Sequence, residues 1–199
     1  MDSSDHPQTT NSTESMSSDT ADNSSMMALS KRDIFLSTYN RRQKFTFPDS
    51  IMHYIAKNPK NATVYQKMIK RCKYFFIKNP ILVFSWLRYG QNGWETTVKD
   101  DWKSIDMNKL SSKLWITDGL MVYPEDVSNV ASSIIPKIYR CDVKRLDLEN
   151  QVISLNELIF LCSSVKELDL LRITVKNDDD TVVLFEEFVK QLPQLNRIK

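Results

Sequence analysis

Three glycines in 199 residues are too few for a glycine-rich phosphate loop or a tight β-barrel. Histidine is equally scarce: only His6 and His53 occur, and His53 has no neighbouring Cys, Ser or acid in a triad-like pattern. Cys72, Cys141 and Cys162 lie far apart and form no CxxC or Cys/His ligand spacing, so they read as buried thiols. No apolar run approaches the roughly 20 residues that a membrane helix needs. The first residues lack the basic and apolar regions of a secretory signal. The expected location is therefore intracellular, in cytoplasm or nucleus, with no membrane partner. In that compartment the Asn-x-Ser/Thr triplets at Asn11, Asn23 and Asn61 are chance matches. No nucleophile–base pair, metal cluster or phosphate loop assembles from this chain, so the sequence predicts no enzyme, no cofactor and no metal.

What is present is an ordinary globular composition, 41% hydrophobic and 26% charged, enough for a packed core. The net charge of +2 hides a segregation. Residues 1–30 hold five acids and no Lys or Arg, whereas residues 31–90 hold thirteen Lys/Arg against Asp33 and Asp49 alone, a net +11. Residues 91–199 carry fourteen basic and eighteen acidic residues, a net −4. A block of +11 creates a field that steers acidic partners.

Residues 1–30 contain thirteen Ser or Thr and no aromatic residue, the composition of a disordered tail. From Phe45 the pattern becomes helical. Pro48 suits the first turn of a short helix with Ile51, Tyr54 and Ile55 on one face. Asn58-Pro59 stops it, because the residue before proline is pushed out of the α region. Asn61 caps a second helix with Val64, Tyr65, Met68, Cys72 and Phe75 on its apolar face, and Asn79-Pro80 ends this 45–80 module. Residues 81–109 read as a connecting region holding an apolar run, a turn at Asn92-Gly93 and a second apolar segment. The four tryptophans, Trp86, Trp94, Trp102 and Trp115, read as packing anchors.

The most informative feature lies further on. Val-Lys-Arg-Leu-Asp-Leu at 143–148 returns 22 residues later as Val-Lys-Glu-Leu-Asp-Leu at 165–170. Such a period predicts stacked repeats, each burying its apolar face only against a neighbour. Between the copies, Ser-Leu-Asn-Glu at 154–157 is a capping box opening a helix with Leu155, Leu158, Ile159 and Cys162 inward. A preceding helix is predicted from Pro124, with Val127, Val130, Ala131 and Ile134 inward. A following one has Val182, Phe185, Phe188, Val189 and Leu192 inward, with Asp178, Asp179 and Asp180 at its N-terminus, favourable beside the helix dipole. Leu195 to Ile198 begins a further strand. The fold class expected is mixed α/β: a helical module, then a short solenoid of parallel strands and helices over 110–199, reading as a truncated array.

The alternation Leu-x-Leu, helix, Cys-Ser-Ser-Val-x-x-Leu-x-Leu resembles irregular leucine-rich repeats of the kind found behind F-boxes. Residues 47–77 resemble an F-box, with Phe47-Pro48, Ile51 and Ile55 on its first helix and Cys-Lys-Tyr-Phe at 72–75 ending its second. Together, 47–199 resemble the divergent F-box-like proteins of nematode type. The second helix departs from that pattern in carrying Lys67, Lys70, Arg71 and Lys73. The resemblance implies a substrate receptor of a cullin–RING (SCF-type) ubiquitin ligase. Phe47, Pro48, Ile51, Ile55 and Tyr65 would meet the Skp-type adaptor, and the repeats would hold a protein target. The alternative is a ligase-independent interaction scaffold in which 45–80 only caps the repeats. A further, less favoured alternative is nucleic-acid binding through the basic 31–90 block, where Tyr54, Tyr65, Tyr74, Phe75 and Phe76 interleave with Lys/Arg, although most of these are better used as core than for stacking on bases.

Overall fold

Proline and asparagine punctuate the first helices. In the computed structural model, which describes Ile34 and residues 45–199, α1 (Asp49–Lys57) follows Pro48 directly, keeps Asp49 in its first turn and ends at Asn58. The Asn61 side chain accepts the Val64 N–H at 3.0 Å and opens α2 (Ala62–Arg71). The predicted second helix is interrupted: Cys72 is extended, and α3 (Lys73–Lys78) starts anew. The break follows from two destinations for one apolar face. Tyr65 packs with Ile81 and Trp115, whereas Phe75 packs with Met52 and Ala56. The Ser/Thr-rich stretch at 1–30 lies outside the described residues.

From Ile81 the chain is mixed α/β. β1 (Ile81–Gly90) and β2 (Gly93–Val98) form a hairpin closed by Gly93 at φ 85°, and β3 (Asp101–Ser104) follows. Lys99 and Asp100 both take positive φ, which supplies the left-handed turn a two-residue hairpin needs without glycine. β4 (Lys113–Val122) returns parallel to β1. Then come α4 (Val130–Ile134), β5 (Ile138–Cys141), β6 (Arg145–Glu149), β7 (Val152–Ser154), α5 (Leu155–Leu161), β8 (Glu167–Leu171), β9 (Thr174–Lys176), α6 (Phe185–Val189) and β10 (Arg197–Ile198).

The main sheet runs β10-β8-β6-β4-β1-β2-β3. Every neighbour from β10 to β1 is parallel, and the β2 and β3 wing is antiparallel. β5 and β6 share one edge of β4, and the ladder carries across the gap through Asp142 N–H to Ile116 O and Lys144 N–H to Asp118 O. The two copies of the hexapeptide stand side by side: Leu146, Asp147 and Leu148 pair with Leu168, Asp169 and Leu170. Behind them, β7 and β9 pair in parallel with the same 22-residue offset. Residues 81–109 are therefore not a connector, because β1 lies within the sheet, between β4 and β2.

The core lies on one face of that sheet. Leu87, Leu114, Ile116, Leu120, Val122, Leu146, Leu148 and Leu168 are buried against α4, α5 and α6 residues such as Ala131, Leu158 and Phe188. The capping box at Ser154 and Glu157 is formed in both directions, and Glu157 also accepts the Ser132 hydroxyl. Three helix expectations are corrected. α4 begins only at Val130, leaving Val127 exposed. Val182 bridges Lys176 outside any helix, and Phe185 faces outward. The acids at 178–180 sit in a turn, where Asp179 accepts from the Thr181 N–H and hydroxyl, several residues ahead of α6.

Candidate functional site

Two surfaces carry unusual side chains. The first is the outer side of the helical unit. An α-helix buries residues three and four apart, and α1 does so with Met52 and Ala56, not with the predicted Ile51 and Tyr54. Rotated this way, α1 turns Ile51 (45% exposed) and Tyr54 (63%), three residues apart, to solvent, and Phe47 (59%), just ahead of the Pro48 cap, is exposed as well. Pro48 is exposed beside them, and Ile55 packs against the Met52 cluster.

Tyr65 is corrected as a partner-facing residue, since it is 0% exposed. Its hydroxyl donates to the Asn79 carbonyl and accepts the Ile81 N–H at 3.3 Å. Burial pushes its pKa up, partly offset by the Ile81 hydrogen bond. Tyr65 ties helices to sheet, with its ring 6.4 Å from that of Trp115. On the same helix Lys67, Lys70 and Arg71 are exposed, as are Val64 and, ahead of the Asn61 cap, Lys60.

The second surface is the sheet face opposite the core. Strand alternation puts Trp86, Gly119, Arg145, Glu167 and Arg197 in one cross-strand row, and Arg88, Met121, Asp147 and Asp169 in the next. Arg88 sits 4.0 Å over the Trp102 ring and pairs with Glu95 at 2.6 Å. Asp147, only 3% exposed, accepts from Tyr123 Oη at 2.8 Å and from Arg145. Burial first, and the Asp147 hydrogen bond second, drive the Tyr123 pKa well above the usual tyrosine range. Those partners make Asp147 a paired structural carboxylate. A groove of about 550 Å³ runs along this face between Trp86, Asp118, Lys144, Arg145, Lys166 and Glu167.

Trp94 and Trp115 are buried, while Trp86 and Trp102 are half-exposed on this face. Trp86 was not distinguishable by sequence, although Gly119 carried a signal: a lone glycine inside an apolar strand marks a close approach. Gln151 gave none. It is 1% exposed, accepts the Ala131 N–H and donates to Val127, Glu149 and Asn150 carbonyls.

Burial pushes the thiols of Cys141 and Cys162 up to about 12, which leaves them protonated and inert near neutral pH. Among the described residues no group of three His, Cys, Asp or Glu is placed to hold a metal ion, and no helix is long and apolar enough to cross a membrane. Comparison with protein-family models, curated proteins and solved structures finds no match to this chain.

Proposed function

We propose that this chain is a substrate receptor of an SCF-type ubiquitin ligase in cytoplasm or nucleus. Residues 45–80 act as a divergent F-box that docks on the Skp-type adaptor, and the leucine-rich-repeat-like sheet holds a protein target. One observation carries the reading: a small helical unit anchored inward through Tyr65 leaves Ile51 and Tyr54 unburied on α1 and Phe47 exposed just ahead of it. Apolar residues of that size, gathered rather than scattered, mark a surface a partner covers. The in-register strands β6 and β8 support the second half, because parallel rungs of this kind build extended presenting surfaces. The mechanism is tethering, which raises the target's effective concentration at the ligase without chemistry in the receptor.

Co-expression of the full chain with a Skp-type adaptor tests the reading. The wild-type chain co-purifies with the adaptor, and F47K/I51K does not while keeping its circular dichroism spectrum. Equal capture of both forms sinks the assignment.

A second reading has its own support. Because Tyr65, Ile81 and Trp115 form one buried cluster, the helical unit also covers the sheet as a cap would, and the chain would then be a ligase-independent scaffold. On that reading deletion of 45–80 exposes Trp115 and unfolds the sheet, and no adaptor is bound.

A further inference from the structure

From residue 50 to residue 94 the chain contains no Asp or Glu, so the cations of α2 have no acidic neighbour along that stretch. Lys60, just ahead of the Asn61 cap, and Lys67, Lys70 and Arg71 on the helix are all exposed. None of them enters an ion pair among the described residues. A step of four residues puts Lys67 and Arg71 on one side, with Lys70 flanking, and Lys60 stands ahead of the cap. Such a helix is unusual, because i, i+4 like charges repel and a solvated face normally mixes signs.

We propose that this outer stripe of α2 binds the phosphate backbone of a nucleic-acid duplex, a function separate from adaptor docking. Three features select this occupant. Protein interfaces are depleted in Lys and enriched in aromatics, and this stripe has the opposite composition. Single-stranded nucleic acid is gripped by exposed aromatic platforms, yet Tyr65 and Phe75 are buried here. Membrane surfaces need apolar side chains to penetrate beside the cations, and Val64 is the stripe's one exposed apolar residue. A duplex backbone asks only for cations spread along its charge. The ten residues of α2 span about 15 Å, over which a duplex carries about nine phosphate charges. The contact is sequence-independent, since it touches no base edge.

The test is fluorescence anisotropy of a labelled mixed-sequence DNA duplex with the full chain across a salt series. The wild-type chain binds at low salt, and the plot of log affinity against log salt has a slope of about −3 to −4, one phosphate per stripe cation. K67E/R71E loses at least about tenfold in affinity and flattens the slope by about two. K67Q/R71Q, which introduces no acid, gives an intermediate loss with an unchanged circular dichroism spectrum. Absence of binding at low salt overturns the proposal, as does equal binding by K67E/R71E. So does tighter binding, at matched salt, to a polyglutamate peptide or to phosphatidylserine vesicles than to the duplex.

Discussion

Trp86 occupies the space that any side chain at Gly119 would need: a β-carbon there would overlap the six-membered ring of the indole. The two residues are cross-strand neighbours on β1 and β4, next to a register shift between Phe84 and Trp86. Substitution G119A should therefore destabilise the chain by about 1–3 kcal/mol through overpacking. Adding W86A to it should recover part of that loss, because the clash goes with the ring. Urea unfolding of the two single variants and the double variant measures the coupling. Strict additivity would mean that the ring is not held against Gly119.

Replacing Gln151 with leucine makes the core more apolar and should still lower stability, by about 2–3 kcal/mol. The loss comes from the buried Ala131 N–H and from the Val127 carbonyl, which the side chain bonds at 2.8 and 3.0 Å. Q151E, which keeps an acceptor for Ala131 but sets a buried carboxylate against three carbonyl oxygens, should fall further. Chemical denaturation reads both, and a neutral Q151L would overturn the latch.

On the alkaline side, stability should begin to fall at about pH 9. Cys141 and Cys162 titrate at about 12 when folded against 9.0 ordinarily, and Tyr123 is likewise raised from 10.0. All three shifts are upward, so the unfolded chain releases its protons first. Their contribution is whole below the unfolded values and drains away as pH climbs toward the folded ones. Each thiol steepens the fall by up to about 1.4 kcal/mol per pH unit. Urea midpoints taken between pH 8 and pH 11 check this, and a C141A/C162A variant should show a shallower decline.

Surface and anchor residues of the helical unit should separate cleanly. F47A/I51A/Y54A removes exposed side chains and should change stability by less than about 0.5 kcal/mol per site. Y65A empties a buried position and should cost about 3–5 kcal/mol. Thermal unfolding of both, alongside adaptor capture, distinguishes a docking face from a structural one. A large loss from the triple variant would place those side chains in the core after all.

What could be read in advance was whatever local chemistry decides alone. The capping box at Ser154, the Asn61 cap and the stop at Asn58-Pro59 depend on neighbours within four residues, and each is found. The hexapeptide copies gave their own register, because identical patterns bury identical positions. Faces were harder. Periodicity put Ile51 and Tyr54 inward, but Met52 and Ala56 fit the same spacing one step round, and only the docking of Phe75 chooses between them. Periodicity put Tyr65 inward and only the F-box resemblance made it partner-facing, and nothing nearby in sequence announces Trp115, fifty residues on. β1 passed for a connector since its partner β4 lies beyond an intervening hairpin. The left-handed Lys99-Asp100 turn carries neither Asn nor Gly to mark it.

The offsets between paired rungs are uneven: 26 residues from β4 to β6, 22 from β6 to β8 and 30 from β8 to β10. The pairing geometry is nevertheless shared, so the surplus length is taken up in the return paths rather than in the strands. Insertions near residues 177–184 should thus leave the main sheet untouched, whereas one extra residue within 143–148 would turn every side chain of that strand inside out.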